Sequence, residues 1–467
     1  MRIALPEEPF ARRRLFLLAA AAAAICLAAA AAFLPAGIVR LAAFALLGLP
    51  VLFVFFDRPV LFFYALVLIL FSNIDLFTTF RLYRVILALA VFALALAVLD
   101  GRRLVWHHPV LFLLVAAFSL IVFQSISIAR NYDAALEFGG RYFKNLLALA
   151  IVLQFVGTRR EFRVYIIVLA ASILLNDIAP LFLSVPAHLE SVSLLWEQGV
   201  FRYEGFVLEP NAFALMQLML IPMLIYLISL RRRSKPLVIL LVLSILVSAA
   251  ALILSFSRGG FLGFAVLLLL LLVLERRNKA VVAVGAALAV TVVALSPGEY
   301  WQRVQSMLAF AQGGRFDFSI YTRLESMKEA IRIGASNPLL GIGIGNFMFA
   351  SGNMLPFRIV VHNAFLQVLA EVGVIGFVLF IAVIAYDFLL IRSLMRRPDP
   401  EAAQVGRMLL LQLASVLPSA FFIPVAFEYF FCFLLALPPM ANYCFRGTAH
   451  GGEATAAARA AGSSPGA

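Results

Sequence analysis

Long apolar runs recur along most of this chain and limit what it can fold into more than any other feature does. Of the 467 residues, 64% are hydrophobic and 13% are charged, and the mean hydropathy is +1.03. Soluble domains are nearer ~45–50% apolar and ~25% charged. A helix crosses the hydrocarbon core of a bilayer with about 20 apolar residues. The sequence therefore predicts a polytopic membrane protein.

The predicted fold class is all-α, a membrane helix bundle of about 12–14 transmembrane helices. The first apolar run follows three arginines as a signal peptide would, but it is long enough to span and is interpreted as a retained helix. The predicted spans are residues 15–34, 38–56, 59–76, 84–99, 109–129, 143–157, 163–184, 211–230, 236–255, 260–274, 280–296, 362–390, 408–425 and 427–444.

We expect one integral membrane domain over residues 1–446, because no stretch has the composition of a soluble domain. The segment at about 297–361 is the longest hydrophilic excursion and is predicted to be a loop between spans. The tail at 447–467 is rich in Gly, Ala and Ser and lacks apolar periodicity, so it is expected to be disordered.

Paired and triple arginines predict the orientation, because short cytoplasmic loops of membrane proteins are enriched in positive charge. A cytoplasmic N-terminus places every tight basic cluster on the same side and makes the C-terminus cytoplasmic as well. The segments facing out are then roughly 130–142, 185–210, 256–259 and 297–361. The clusters are Arg102-Arg103, Arg159-Arg160, Arg231-Arg232-Arg233, Arg276-Arg277 and Arg396-Arg397.

The distribution of charged and metal-binding side chains argues against two classes of function. The net charge of +13 comes from basic residues scattered over short loops, which is not the pattern of a nucleic-acid-binding surface. The three cysteines lie in apolar runs without metal-binding spacing, and no Asp, Glu and His cluster on the predicted outer face suits Mg²⁺ or Mn²⁺. We therefore expect no nucleic-acid partner, no metal and no cofactor.

His362 stands where the long outer loop re-enters the membrane, and it is one of only five histidines in the chain. Imidazole has an ordinary pKa near ~6.5, so it is well suited to accept a proton at neutral pH. Asn363 is a candidate for orienting the ring. A proton acceptor near several arginines indicates chemistry on an anionic substrate held by the membrane.

Several outward basic residues are not explained by the orientation rule, and Arg258 is the most notable among them. It lies in Ser257-Arg258-Gly259-Gly260, a connection of a few residues between two spans. A charge held so close to the membrane indicates function. The others include Arg202, Arg315, Arg323, Lys328, Arg332 and Arg358. For any one of these, the alternative is a solubilising residue of a long loop.

The outer loop contains a predicted amphipathic helix. Ile320, Leu324, Met327 and Ile331 recur at helical spacing, with charged residues between them, so the apolar face is expected to lie on the outer membrane interface. The glycines of residues 341–345 follow. They match no nucleotide-binding fingerprint, and a flexible turn is favoured over a phosphate-binding loop.

Three segments taken in order resemble the O-antigen ligase and O-antigen polymerase superfamily of bacterial envelope glycosyltransferases. The resemblance covers about residues 200–390. The first segment runs from Arg202 to Phe206 and on to Glu209-Pro210-Asn211, and the second from Ser255 to Gly260. The third contains four matching stretches, which are Tyr321 to Arg323, Asn337 to Gly343, His362-Asn363 and Glu371 to Gly373.

The resemblance implies glycan transfer at the periplasmic face of the bacterial inner membrane, in lipopolysaccharide or other polysaccharide biosynthesis. The donor would be a glycan on undecaprenyl diphosphate, and the acceptor the lipid A core or another glycan. His362 corresponds to the family's essential histidine, a proposed general base. Arg202 and Arg258 correspond to arginines proposed to hold the donor diphosphate, with Arg323, Asn211 and Asn363 as supporting candidates.

The residue chemistry agrees with this resemblance. A base assists a sugar hydroxyl in attacking the anomeric carbon, and arginine neutralises the charge that grows on a leaving diphosphate. Direct displacement would invert the anomeric configuration. The alternatives are a repeat-unit polymerase of O-antigen or exopolysaccharide, then a protein O-oligosaccharyltransferase, then a transporter of lipid-linked sugar. The transporter is disfavoured because mid-span acids are sparse and no internal repeat is visible.

Overall fold

The computed structural model describes residues 60–73, 82–99, 104–105, 107–181, 203–207, 209–230, 234–274, 318–350 and 360–446, with a few isolated positions between 283 and 298. The chain forms two compact units, residues 1–65 with 86–103 and residues 66–85 with 104–467. In the first unit, Phe62 and Phe63 are fully buried. Every candidate functional residue that the structure describes belongs to the second unit.

The described residues form α-helices and one short 3₁₀ turn, without a β-strand among them. The helices are α1 (Val60–Ser72), α2 (Leu82–Leu99), α3 (Pro109–Ile126), α4 (Tyr132–Phe155), α5 (Arg159–Ile178), α6 (Pro210–Leu230), α7 (Lys235–Leu254), α8 (Arg258–Leu274), α9 (Phe318–Ser336), α10 (Phe347–Ala350), α11 (Ala364–Met395), α12 (Pro400–Ala420) and α13 (Tyr429–Cys444).

The chain is an all-α polytopic membrane protein, as predicted. Within the described ranges, α3, α6, α7 and α11 are long and apolar enough to cross a membrane, and α1, α2, α8 and α13 are shorter apolar helices. Eleven of the predicted spans contain a helix. The runs at 15–34 and 38–56, most of 280–296 and the tail at 447–467 lie outside the described residues, so the total of about 12–14 spans stays a prediction.

Helix α4 begins earlier than predicted, so the expected outer loop at 130–142 is mostly helical. The side chain of Asn131 caps the helix by accepting a hydrogen bond from the Ala134 N–H at 3.0 Å. Asp133, Glu137 and Arg141 occupy the first turns. Hydropathy identifies apolar residues rather than helices. Because these helical turns are polar, the sequence predicted a loop here.

One end of the second unit carries ion pairs between predicted cytoplasmic segments, and we call it the basic end. Arg159, where α5 begins, pairs with Asp399, which caps α12. Arg163 Nε donates to Glu401 Oε1 at 2.5 Å, and the Tyr226 hydroxyl near the end of α6 donates to the same oxygen at 3.0 Å. Two of the segments that the charge pattern assigned to one side of the membrane, those around Arg159-Arg160 and Arg396-Arg397, thus contact each other.

The opposite end, which we call the site end, contains the other termini of these helices. The Phe206 N–H, just before α6, donates to Asn176 Oδ1 near the end of α5 at 2.8 Å. Ser419, near the end of α12, donates through Oγ to the carbonyl of Gly259 in α8 at 2.7 Å. His362 also lies here, because α11 runs from Ala364 towards Arg396 next to the basic end.

Helix α11 is broken at Gly373, where φ is +78° and ψ is −176°. The segment from Pro338 to Phe347 crosses this break and satisfies its backbone groups. Its carbonyl at Pro338 accepts from the Val374 N–H at 2.7 Å, and the N–H groups of Ile342 and Gly343 donate to Ala370 and Glu371 carbonyls at 3.0 Å. A broken helix is tolerated within a membrane when neighbouring protein re-satisfies its backbone in this way.

The glycine-rich segment is therefore a packing element, and the expectation of a flexible turn is wrong. Gly341 has φ +69°, and a Cβ there would lie 2.5 Å from the carbonyl carbon of Glu371. The same segment is bound to the turn between α3 and α4. The Asn131 N–H donates to Asn346 Oδ1 at 2.7 Å, and the Ile344 N–H donates to Ser125 Oγ at 3.1 Å.

Helix α9 confirms the helix predicted in the long loop, and it packs on α11 through a face other than the predicted apolar one. Ala330 and Ile333 are buried, in one cluster with Ala370. Leu324 and Ile331 of the predicted stripe remain 41% and 54% exposed. These two side chains are thus available to a surrounding apolar medium, and contact of the predicted stripe with the membrane interface stays a prediction.

We expect Gly373→Ala to destabilise the protein by roughly 2–4 kcal/mol, from positive-φ strain and overpacking together. The added Cβ would lie 2.5 Å from the Leu339 carbonyl oxygen. A lower unfolding temperature in detergent measures the effect. Gly140→Ala in α4 is the matched control, because nothing lies within 4 Å of its Cβ position and helix propensity favours alanine. Equal unfolding temperatures for the two variants would contradict the role of the break.

Candidate functional site

The chain that follows Arg202 is bound tightly at the site end. Arg202 itself lies outside the described residues. The next residue, Tyr203, donates its N–H to the carbonyl of Leu254 at 2.8 Å and its hydroxyl to the carbonyl of Asp177. Leu254 ends α7, four residues before Arg258. Tyr203 is therefore bonded to the end of the helix that precedes the Arg258 turn.

Arg258 is the first residue of α8, and a hydrogen-bonded turn positions it. The Ser257 hydroxyl accepts from the Gly260 N–H at 3.0 Å and donates to Asn211 Oδ1 at 2.8 Å, so Ser257 caps the helix. Asn211 in turn donates to Glu209 Oε1 at 2.7 Å. Asn211 thus supports the Arg258 turn from α6.

The electrostatics of this turn favour an anion. The guanidinium of Arg258, half-buried at the start of α8, adds its charge to the partial positive charge of the helix N-terminus. The preceding Phe256 has a φ of +51° and is buried. Such a conformation costs a bulky residue about 1–3 kcal/mol and is concentrated at functional turns.

His362 lies immediately before α11, where Asn363 fixes the backbone. Asn363 Oδ1 accepts hydrogen bonds from the N–H groups of Phe365 and Leu366 at 2.9 and 3.0 Å, which caps the helix. Burial, and then the charge of Arg323, lowers the pKa of His362 from its ordinary 6.5 to about 4. The imidazole is therefore neutral at physiological pH and carries a lone pair that can accept a hydrogen bond.

The influence of Arg323 on His362 brings together two candidates that are 39 residues apart in the sequence. Arg323 is in α9, and α9 is fixed to α11 by the buried contacts of Ala330 and Ile333 and by the segment that crosses the helix break. The charge of Arg323 thus reaches a neutral base, an arrangement suited to a negatively charged substrate.

The connection between α12 and α13 touches the elements that carry both halves of the site. The Phe421 ring packs on the ring of Phe365, which follows His362 by three residues, with the ring centroids 4.5 Å apart. The Phe422 Cβ lies 3.1 Å from the position that a Cβ on Gly259 would take, next to Arg258. This segment, residues 421–428, links the His362 element to the Arg258 element.

Residues 243–381 match the family model for O-antigen ligase.

The match confirms the resemblance to the O-antigen ligase superfamily over these residues. It includes Arg258, Arg323, His362 and Asn363, whereas Arg202 and Asn211 precede it. No curated protein matches the chain. The O-antigen ligase match and the apolar helices agree with a ligase-like membrane protein of bacteria.

Two charged residues near the site were not expected from the sequence, Arg141 and Glu428. Arg141 is in the polar first turns of α4, which read as a loop, and Glu428 precedes α13. Burial raises the pKa of Glu428, the charge of Arg141 lowers it, and the charge of Glu209 raises it. Glu209 binds Asn211, so Glu428 lies close to the supports of the Arg258 turn.

Glu371 has a structural partner rather than a place beside His362. Its Oε1 accepts from the Phe347 N–H at 3.2 Å, on the segment that crosses the α11 break. Among the described residues, no three His, Cys, Asp or Glu side chains converge as metal ligands would.

We expect Arg323→Gln to raise the pKa of His362, because it removes a positive charge that disfavours the imidazolium. The change is measured by NMR titration of protein labelled at its five histidines, with His362→Ala for assignment. Arg332→Gln is the control, since Arg332 in the same helix is paired with Glu329 and exposed. An unchanged His362 titration in Arg323→Gln would contradict the proximity of the two groups.

Proposed function

We propose that this protein transfers a glycan from undecaprenyl diphosphate to an acceptor hydroxyl at the periplasmic face of the bacterial inner membrane. The observation that carries the proposal is the placement of Arg258, Arg323 and a neutral His362 at the same end of the bundle, opposite the basic end. If the basic end is cytoplasmic, as the positive charge predicts, the site end is periplasmic.

In the proposed reaction His362 is the general base. Its neutral imidazole accepts the proton of the attacking acceptor hydroxyl as the oxygen bonds to the anomeric carbon. The bond from that carbon to the diphosphate oxygen breaks at the same time, and the electron pair leaves with undecaprenyl diphosphate. Attack from the opposite face inverts the anomeric configuration. The transfer proposed here is metal-independent.

Arg258, Arg202 and the N-terminus of α8 would hold the leaving diphosphate. Arginine presents a planar fork of donors that matches phosphate oxygens, and charge stabilisation at a leaving group is a large part of catalysis in sites of this kind. Asn211 contributes by fixing the Ser257 turn, and Asn363 by fixing the backbone next to His362.

Binding of the donor would also improve the base. A pKa of about 4 makes the free imidazole a weak proton acceptor. The diphosphate brings negative charge towards Arg323 and His362, and nearby negative charge favours the imidazolium. The pKa of His362 therefore rises when the donor is bound, which couples proton acceptance to the presence of the leaving group.

We expect His362→Ala to abolish transfer while leaving the protein in the membrane at its normal level. Loss of a general base lowers the rate by about 10²–10⁴-fold, enough to remove the product from the cell surface. The measurement is complementation of a deletion strain in the host bacterium. His108→Ala is the matched control, since His108 contacts Tyr386 on α11 away from the site end. Normal product in well-expressed His362→Ala would refute the base assignment.

The same deletion strain identifies the acceptor. Its lipopolysaccharide is separated on a gel. Loss of the whole ladder of glycan bands attached to the lipid A core, with lipid-linked polymer accumulating, indicates a ligase. Survival of a band with a single repeat unit indicates a polymerase. An unchanged lipopolysaccharide pattern directs attention to exopolysaccharide, to a protein O-oligosaccharyltransferase or to a lipid-linked sugar transporter.

We expect Arg258→Lys to weaken binding of undecaprenyl diphosphate by about 10–100-fold, because a point charge cannot reproduce a bidentate contact worth about 1.5–3 kcal/mol. Purified protein in detergent, titrated with undecaprenyl diphosphate, gives the affinity. Arg332→Lys is the matched control, because it makes the same substitution at an exposed arginine of α9 that is paired with Glu329. This variant should bind undecaprenyl diphosphate normally. Unchanged affinity in Arg258→Lys would count against the diphosphate role.

A further inference from the structure

Glu428 occupies the N-cap position of α13 through its backbone only. Its backbone is extended, with φ −78° and ψ +147°, but its side chain makes no capping hydrogen bond. Within the described part of the chain the carboxylate has no hydrogen bond or ion pair at contact distance, and the residue is half-buried.

The charged neighbours of Glu428 already have partners of their own. Arg141 donates to Glu137 at 2.8 Å, and its guanidinium lies 4.5 Å from the Phe138 ring centroid. Glu209 accepts from the Asn211 side chain and from the Ala212 N–H. The charges of Arg141 and Glu209 therefore influence Glu428, but neither residue is bonded to it. The carboxylate oxygens of Glu428 remain available to accept hydrogen bonds from a ligand.

The position of Glu428 relates it to the reacting groups. It ends the segment of residues 421–428, which contacts the His362 element through Phe421 and the Arg258 element through Phe422. The Phe427 carbonyl next to Glu428 accepts from Asn145 Nδ2 at 3.2 Å, which fixes the backbone on α4. Glu428 therefore follows a backbone position bonded to α4, at the end of the segment whose first residues contact the two site elements.

We infer that Glu428 binds the acceptor glycan by accepting hydrogen bonds from its hydroxyl groups, with Phe421 as an apolar surface for the sugar ring. The inference rests on the proposed function. The charge of a second carboxylate, Glu209, reaches Glu428. Two negative charges repel a diphosphate, so this part of the site does not suit the donor's leaving group. A neutral polyhydroxyl molecule suits it, because a carboxylate accepts at several lone pairs. Phe421 is 48% exposed, which leaves part of its ring uncovered.

The test compares the two substrates of the reaction. Donor and acceptor are extracted from the deletion strain, in which both accumulate, and transfer by purified protein is measured over a range of acceptor concentrations. We expect Glu428→Gln to raise the KM for the acceptor about tenfold, the loss of one charged hydrogen bond. The affinity for undecaprenyl diphosphate alone should be unchanged, and Glu428→Asp should recover part of the acceptor affinity.

Glu137→Gln is the matched control, because Glu137 is an exposed carboxylate beside the same Arg141, and its acceptor KM should equal that of the wild type. A normal acceptor KM in Glu428→Gln overturns the inference, as does a lower kcat with an unchanged KM. If Glu428→Gln does not fold, Glu428→Asp replaces it. The inference is then overturned if this variant has the wild-type KM for the acceptor and added acceptor does not raise its unfolding temperature. Failure of the proposed function is distinguished by wild-type protein that neither binds undecaprenyl diphosphate nor transfers glycan.

Discussion

The hydrogen bonds across the break in α11 hold the candidate site together. Three backbone bonds join the segment from Pro338 to Phe347 to Ala370, Glu371 and Val374. In the apolar interior of a membrane each unsatisfied backbone group costs several kcal/mol, so the break and the crossing segment require each other. Because the crossing segment follows α9 directly, the same bonds hold the C-terminal end of the helix that carries Arg323 on the helix that follows His362.

Charge is separated at the site end in a way that suits two different substrates. Arg258, the N-terminus of α8 and Arg323 provide positive potential, and His362 is kept neutral by burial and by Arg323. Glu209 and Glu428 provide negative potential beside the turn that carries Arg258. Under the proposed function, the positive groups bind the diphosphate, and the carboxylates face a neutral glycan.

Sequence reasoning identified what depends on local pattern. The apolar runs predicted the helices, and the boundary position of His362 agrees with a helix that begins at Ala364. Contacts between distant segments could not be predicted, because nothing in the spacing of Arg323 and His362 shows that α9 packs on α11. The loop glycines were misinterpreted, because a glycine in a flexible turn and a closely packed glycine cannot be distinguished in a sequence. Arg141 was not recognised as a residue near the site, because the helical turns around it are too polar to resemble a membrane span.

The most direct measurement is a cryo-electron microscopy structure of the purified protein with undecaprenyl diphosphate bound. The account predicts diphosphate density at the N-terminus of α8, in contact with the Arg258 guanidinium and on the side that faces His362. Density at the basic end, near Arg159 and Arg163, or a diphosphate held at the site end without contact to Arg258, would contradict it.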